Sequence, residues 1–460
     1  MRWTPKKYML EAVRFMVERP HAGLFLAPGL GKTSIAYAAF KILRRDGFAR
    51  RALVLSPLRP AYLVWPAEAR KWDDFAGLTV GVAHGAKKSK LLDALPDVTV
   101  MNYEGLRWLA GEAARRGWGA REPWPWDVLI IDESSRLKHP GTERFRTLKP
   151  LLPRFKRRYI LTGSPAANTL MDLFGQCYTM DLGKTFGPYV THFRAEFFMR
   201  VDEFTWVLQP GAEERIYERL APRVLRMSED LLDLPPITYN TVTVDLPPKA
   251  RRAYDQMETA LRLDFEAGRV TAANSGVASM KCRQLAGGGV YRDSEDGSKG
   301  PAQAVHPAKT DAVLELLEEL EGQPTIVAYE FQHELERLKA ALGKDTPHIG
   351  GGVSPRRSVE VADAWNRGEV PVLLGQPQSM AHGLNLQAAG RAVVFHTVPW
   401  NYEDYDQLIR RVWRQGQRER VVVHHVVARD TVDEAVMAAL ARKRRGQNAL
   451  FDALRDYWRR

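Results

Sequence analysis

The sequence predicts an α/β protein of two lobes, each a parallel sheet flanked by helices, and three observations carry that expectation. Short apolar runs, many rich in β-branched residues, recur between helical stretches. They fall into two series, and the stretch between the series has a different, helical patterning. Near-continuous apolar runs of this kind are strands buried on both faces by crossover helices.

The first series is 22–27, 52–56, 79–83, 98–102, 127–131 and 158–162; the second is 325–329, 371–375, 392–396 and 421–427. Between them, 176–235 and 246–300 read as helical, with a proline-rich joint at 232–249 and an exposed loop at 287–303. The expected division is therefore 1–235, an N-terminal lobe with a helical extension, and 236–460, a C-terminal lobe with a helical insertion at about 246–300. The hinge is expected near Leu234 to Pro236.

A chain of 460 residues suits two or three domains. With 45% hydrophobic and 27% charged residues it has the balance of a globular protein rather than a disordered one. Lys and Arg total 67 against 55 Asp and Glu, a net charge of +12, which points to a polyanionic partner. The tail, 442–460, carries seven basic and two acidic residues and reads either as a solvated helix end or as a contact to backbone phosphate. Cys177 and Cys282 lie far apart, which argues against a disulfide framework or a zinc ribbon and for a reducing compartment. With no apolar run of membrane-spanning length and no signal peptide, the expectation is a cytoplasmic protein without a membrane partner.

LFLAPGLGKTS (24–34) follows a strand and opens a helix, the setting of a phosphate cradle. Gly29 and Gly31 let backbone N–H groups approach phosphates, and the helix N-terminus adds a favourable dipole. Lys32 is placed to reach the β and γ phosphates and the Thr33 hydroxyl to hold Mg²⁺. Pro28, Leu30 and Ser34 complete the loop; Leu26 stands where the general pattern has its first glycine. In WDVLIIDESSRLK (126–138), Asp132 and Glu133 leave a buried strand. Such carboxylates are costly unless a cation receives them. In a phosphate-loop enzyme the first anchors Mg²⁺ and the second polarises the attacking water. Taken alone, the pair reads equally as a helix cap.

In the second lobe, Gln407, Arg411 and Arg414 have i, i+4, i+7 spacing, predicted to align on one helix face. Two guanidinium groups there suit the charge that develops on a transferred γ-phosphate. Upstream, Gly383 and Asn385 sit on a turn suited to sensing phosphate and nucleic-acid backbone.

Together these elements resemble the Swi/Snf-like branch of superfamily 2 helicases, in a minimal bacterial or phage form. LAPGLGKT (26–33), VLSPLRPAYLVWPAEARKW (54–72), VMNYEGL (100–106), DESS (132–135) and LTGSP (161–165) are similar to motif I, motif Ia with its Trp signature, the Thr-Tyr-Glu element, motif II and motif III. HGLNLQAAG (382–390), VPWNYEDYDQ (398–407), RRVWRQGQ (410–417) and ARDTVDEAV (428–436) resemble motif V, the Trp-Asn element, motif VI and the stretch behind it. The resemblance implies two RecA-like lobes with ATP and Mg²⁺ in the cleft between them, and double-stranded DNA as the track of a monomeric translocase. It implies nucleotide contacts from Tyr8, Met9 and Gly383, and nucleic-acid contacts from Ser56, Pro57, Arg59, Asn102, Tyr103, Thr162, Gly163, Ser164, Asn385 and Trp400. Two departures stand out: Met9 occupies the position of the family's base-reading Gln, and Ser164 replaces a usual Thr. A strand-separating helicase on DNA or RNA, and a non-catalytic DNA-binding scaffold, are the alternatives.

Overall fold

The computed structural model describes residues 1–460 apart from 167, 202–205, 229–230, 232–233, 267–271, 294–298, 381–382 and 460. The side chains of 260–266, 272–278, 293, 299 and 447–459 are also outside the description. The chain divides into two compact units: Met1–Asp233 with Lys443–Arg460, and Leu234–Arg442.

In the first unit the strands are β1 (His21–Leu26), β2 (Ala52–Ser56), β3 (Val80–Val82), β4 (Val98–Asn102), β5 (Val128–Asp132), β6 (Arg157–Thr162), β7 (Phe198–Arg200), β8 (Trp206–Leu208) and β9 (Val224–Met227). Seven of them form one sheet in the order β3-β4-β2-β5-β6-β1-β9, and every neighbouring pair is parallel. The register pairs Phe25 with Thr162, Asp132 with Leu161, and Ser56 with Asn102, so the carboxyl ends of β1, β6, β5, β2 and β4 meet along one edge. In an open parallel sheet that edge is where ligands bind. The core holds Leu53, Leu55, Leu129 and Ile131 against Leu106, Leu109, Phe145 and Leu173, all buried.

The second unit contains β10 (Ile237–Val244), β11 (Gly289–Asp293), β12 (Lys299–Ala304), β13 (Thr325–Ala328), β14 (His348–Ile349), β15 (Val372–Gly375), β16 (Ala392–Phe395) and β17 (Val421–Ala428). Its six-stranded sheet, β10-β17-β16-β13-β15-β14, is parallel throughout. Val327, Leu374, Val394 and Val426 pack there against Val313, Leu335 and Leu338. These two sheets with their helices are the two RecA-like lobes.

Three segments differ from expectation. The proline-rich joint at 232–249 contains β10, which pairs with β17 from Ile237 to Val244. It is a mostly solvated edge strand, so its threonines and Asn240 read as a linker. The stretch 176–235 is only partly helical: it holds the β7–β8 hairpin and β9, which closes the first sheet beside β1. The exposed loop expected at 287–303 is the antiparallel β11–β12 pair, with residues 294–298 outside the description. The insertion at 246–300 is otherwise helical, at Pro248–Glu266 and Ala272–Ala286. Among the described residues no helix is long and apolar enough to cross a membrane.

Candidate active site

The phosphate loop runs from the end of β1 into the helix Lys32–Arg45. Gly29 and Gly31 have φ of 91° and 78°, a region that strains any L side chain. A Cβ on Gly31 would also come within 2.8 Å of Met9 Cε. Met9 and Tyr8 lie on the buried face of the helix Lys7–Glu18, so an apolar thioether abuts the loop at this point. Burial pushes the Tyr8 phenol upward. Lys32 Nζ donates to the carbonyl of Leu26 at 2.8 Å, and Ser34 Oγ to that of Gly31 at 2.9 Å. The strand end is buttressed by β9 through Ala27 N to Met227 O, 3.0 Å. Leu30 is buried; Pro28 is half-buried and faces Gly163, whose Cβ would lie 3.1 Å from Pro28 Cδ.

At the end of β5 the chain turns sharply, with Glu133 at φ 61°. A non-glycine residue in this region costs on the order of 1–3 kcal/mol and persists only where its surroundings hold it. The holding contacts are specific. Glu133 Oε1 accepts from Thr162 Oγ1 at 2.8 Å and Ser135 Oγ at 3.2 Å. Asp132 Oδ2 accepts from Ser56 Oγ and Trp65 Nε1, both at 2.9 Å. The Tyr103 hydroxyl donates to the carbonyl of Asp132 at 2.7 Å, with that of Glu133 at 3.2 Å. Burial, then the charges of Asp132 and Glu133, push the Tyr103 phenol far up, which keeps it a donor.

Ser56, Tyr103 and Thr162, read from sequence as nucleic-acid contacts, are thus buried and spend their hydroxyls on the acidic pair. Ser164 is also buried and donates its backbone N–H to Thr162 Oγ1 at 3.1 Å. Pro57 is buried and Arg59 half-buried, the guanidinium lowered by burial. Asn102 donates from Nδ2 to Glu104 Oε2 at 2.8 Å. Two further residues belong to this assembly, the first read from the sequence only as part of the Trp signature and the second not singled out there. The first is Trp65. The second is Gln176, fully buried, which accepts from Ser134 Oγ at 2.8 Å and donates to the carbonyls of Pro165 at 2.6 Å and Asp172 at 2.8 Å.

Among the described residues neither Asp132 Oδ1 nor the Thr33 hydroxyl has a hydrogen-bond partner. Uncommitted oxygens from a carboxylate and a hydroxyl are a donor set that fits a hard cation such as Mg²⁺.

In the second unit, Asn385 is exposed; its carbonyl accepts from Asn366 Nδ2 at 2.7 Å and its Oδ1 from Arg414. Arg411 Nη1 donates to the carbonyl of Leu384 at 3.3 Å, and the Arg411 carbonyl accepts from Leu386 N at 3.0 Å. Both arginines therefore meet the loop that starts at Gly383, where φ is 77°; His382, the first residue of that element, lies outside the described residues.

The single helix face expected for Gln407, Arg411 and Arg414 is not what forms. The helix Tyr402–Val412 stops before Arg414, because Trp413 leaves helical geometry and Gly416 turns the chain at φ 98°. Gln407 is buried and donates to Glu403 Oε1 at 3.4 Å. Gln417 fastens the turn: its amide nitrogen donates to the carbonyls of Gln387, Gly390 and Val412, and its oxygen accepts from Arg418 N and Glu419 N. Trp400 is 47% exposed, on a loop held by Arg283 to the Val398 carbonyl at 3.0 Å and by Thr397 to Glu334 at 2.7 Å.

Residues 8–286 match the family model described as an SNF2-related domain, and residues 308–416 match that of a helicase conserved C-terminal domain. The putative protein p41 of Acyrthosiphon pisum secondary endosymbiont phage 1 is 31% identical over 479 residues, covering 98% of this chain and 99% of p41. The DNA repair and recombination protein RAD54-like of Gallus gallus is 23% identical over 483 residues, 93% of this chain and 64% of that protein. The uncharacterized ATP-dependent helicase MG018 of Mycoplasma genitalium is 23% identical over 447 residues, 94% of this chain and 40% of that protein. The chain thus spans nearly all of the phage protein and less than two thirds of the two larger relatives.

Proposed function

The chain belongs to the SNF2-related family of helicase-like ATPases, and from that premise we propose that it hydrolyses ATP to move along double-stranded DNA. The observation that carries this reading is the linkage in the first unit. Thr162 holds Glu133, and the next residue, Gly163, abuts Pro28 of the phosphate loop. A carboxylate kept in a strained turn beside a phosphate cradle suits hydrolysis better than capping.

The division of labour follows from the chemistry of each group. Backbone N–H groups of 29–34 and the Lys32 ammonium bind the phosphates and neutralise charge there. Glu133 orients the attacking water and accepts its proton. Asp132 and Thr33 hold Mg²⁺, which neutralises phosphate charge when bound. Arg411 and Arg414 oppose the charge that develops on the γ-phosphate in the transition state.

DNA as the track draws on the net charge of +12 and on the RAD54-like relative. Exposed Asn385 and Trp400, with half-buried Arg59, are the proposed contacts, and the unit of function is a single chain in the cytoplasm.

The test is steady-state ATP hydrolysis with duplex DNA, single-stranded DNA or RNA at saturation. The expected result is stimulation by duplex. Lys32→Ala and Glu133→Gln abolish it, and Arg414→Ala removes most turnover while nucleotide affinity stays within a few-fold. Stimulation by RNA alone, or no hydrolysis with any nucleic acid, overturns the proposal.

A further inference from the structure

Asp132 does not owe its orientation to β5 alone. Its Oδ2 accepts two hydrogen bonds at 2.9 Å, one from Ser56 at the end of β2 and one from the indole N–H of Trp65. Trp65 is fully buried and opens the helix Trp65–Lys71. An indole nitrogen is a donor only, and when buried it needs an acceptor; here the acceptor is a carboxylate.

The ring is in turn held from the phosphate-loop helix. Tyr37, within Lys32–Arg45, meets it edge-on at 5.2 Å and 63°, and donates its hydroxyl to the Trp65 carbonyl at 2.9 Å. One line of contacts therefore runs from the helix that opens at Lys32, through Tyr37 and Trp65, to the acidic pair.

The terminal torsion of an aspartate is broad and two-fold, so an unrestrained carboxylate offers either oxygen. Two donors on Oδ2 remove that freedom. Oδ1 is left as the oxygen without a hydrogen bond among the described residues. We propose that Trp65, together with Ser56, is a positioning residue that presents Asp132 Oδ1 to the divalent cation of the nucleotide complex. This rests on the reading of Asp132 as the metal-anchoring carboxylate. Partners that orient a ligating carboxylate are typically worth ~10–100-fold in metal affinity.

The experiment uses the full chain with Trp65→Phe, Ser56→Ala and the double variant. Phenylalanine keeps a ring against Tyr37 and deletes only the donor. Mn²⁺ binding is followed by electron paramagnetic resonance with a non-hydrolysable ATP analogue present, next to an Mg²⁺ titration of ATP turnover. Each single variant is expected to weaken Mn²⁺ binding roughly 10-fold, and the double variant more. Analogue affinity without metal stays unchanged, and turnover recovers at high Mg²⁺. Unchanged Mn²⁺ affinity in Trp65→Phe, with a lowered melting temperature, makes the indole a packing element and overturns the proposal. Should Trp65→Phe fail to fold, unchanged Mn²⁺ affinity in Ser56→Ala does the same. Asp132→Asn is the control: if it too leaves Mn²⁺ binding intact, what fails is the assignment of Asp132.

Discussion

Thr162 serves two neighbours with one hydroxyl, donating to Glu133 Oε1 and accepting from Ser164 N. Thr162→Val keeps the β-branched shape that strand β6 favours and deletes both bonds. A base released from its position loses rate far more than affinity. Single-turnover hydrolysis is therefore expected to fall ~10–100-fold, with the nucleotide dissociation constant within about threefold; equal losses in both contradict the role. Lys32 and the pair Asp132–Glu133 stood out in the sequence because each follows its own apolar strand, where residue type and spacing are read from near neighbours. The hydroxyls around them were not. Ser56 and Tyr103 reach the acidic pair across 76 and 29 residues, distances in sequence that only the strand order β4-β2-β5 brings together. Serine and tyrosine in an edge loop carry no mark that says whether they face inward or toward a ligand.

Strands announced by apolar runs were found where expected, since burial on both faces demands that composition. In the two large sheets the exceptions are β9, hidden in a segment with helical patterning, β10, a polar edge strand, and β14, of two residues; the short pairs β7–β8 and β11–β12 were not announced either. Helix ends were harder to see than helix starts. Nothing in the 3.6-residue periodicity at 407–414 signals the stop at Val412, which depends on Gly416 and on the Gln417 amide. That amide is the keystone of its turn. Gln417→Ala leaves three carbonyls and two N–H groups short of a partner. The expected loss is ~2–4 kcal/mol of stability in the second unit, read by urea denaturation. Gln417→Glu, which cannot donate, should lose a comparable amount. An unchanged midpoint in both would mean that the loop and the arginine turn are held by something else.

At the scale of the whole molecule, the two parallel sheets and the family follow from the sequence, and the matched models span 8–286 and 308–416. What the chain does with hydrolysis is the proposed part, and its charge gives a first check. Contacts to phosphate release counterions, so duplex affinity should fall steeply with salt. The most direct test is displacement of a third strand from a triplex by the full chain. The proposed motor predicts ATP-dependent displacement while the underlying duplex stays paired, and none with Lys32→Ala or Glu133→Gln. Hydrolysis without displacement, or displacement that proceeds only as the duplex itself separates, would contradict it.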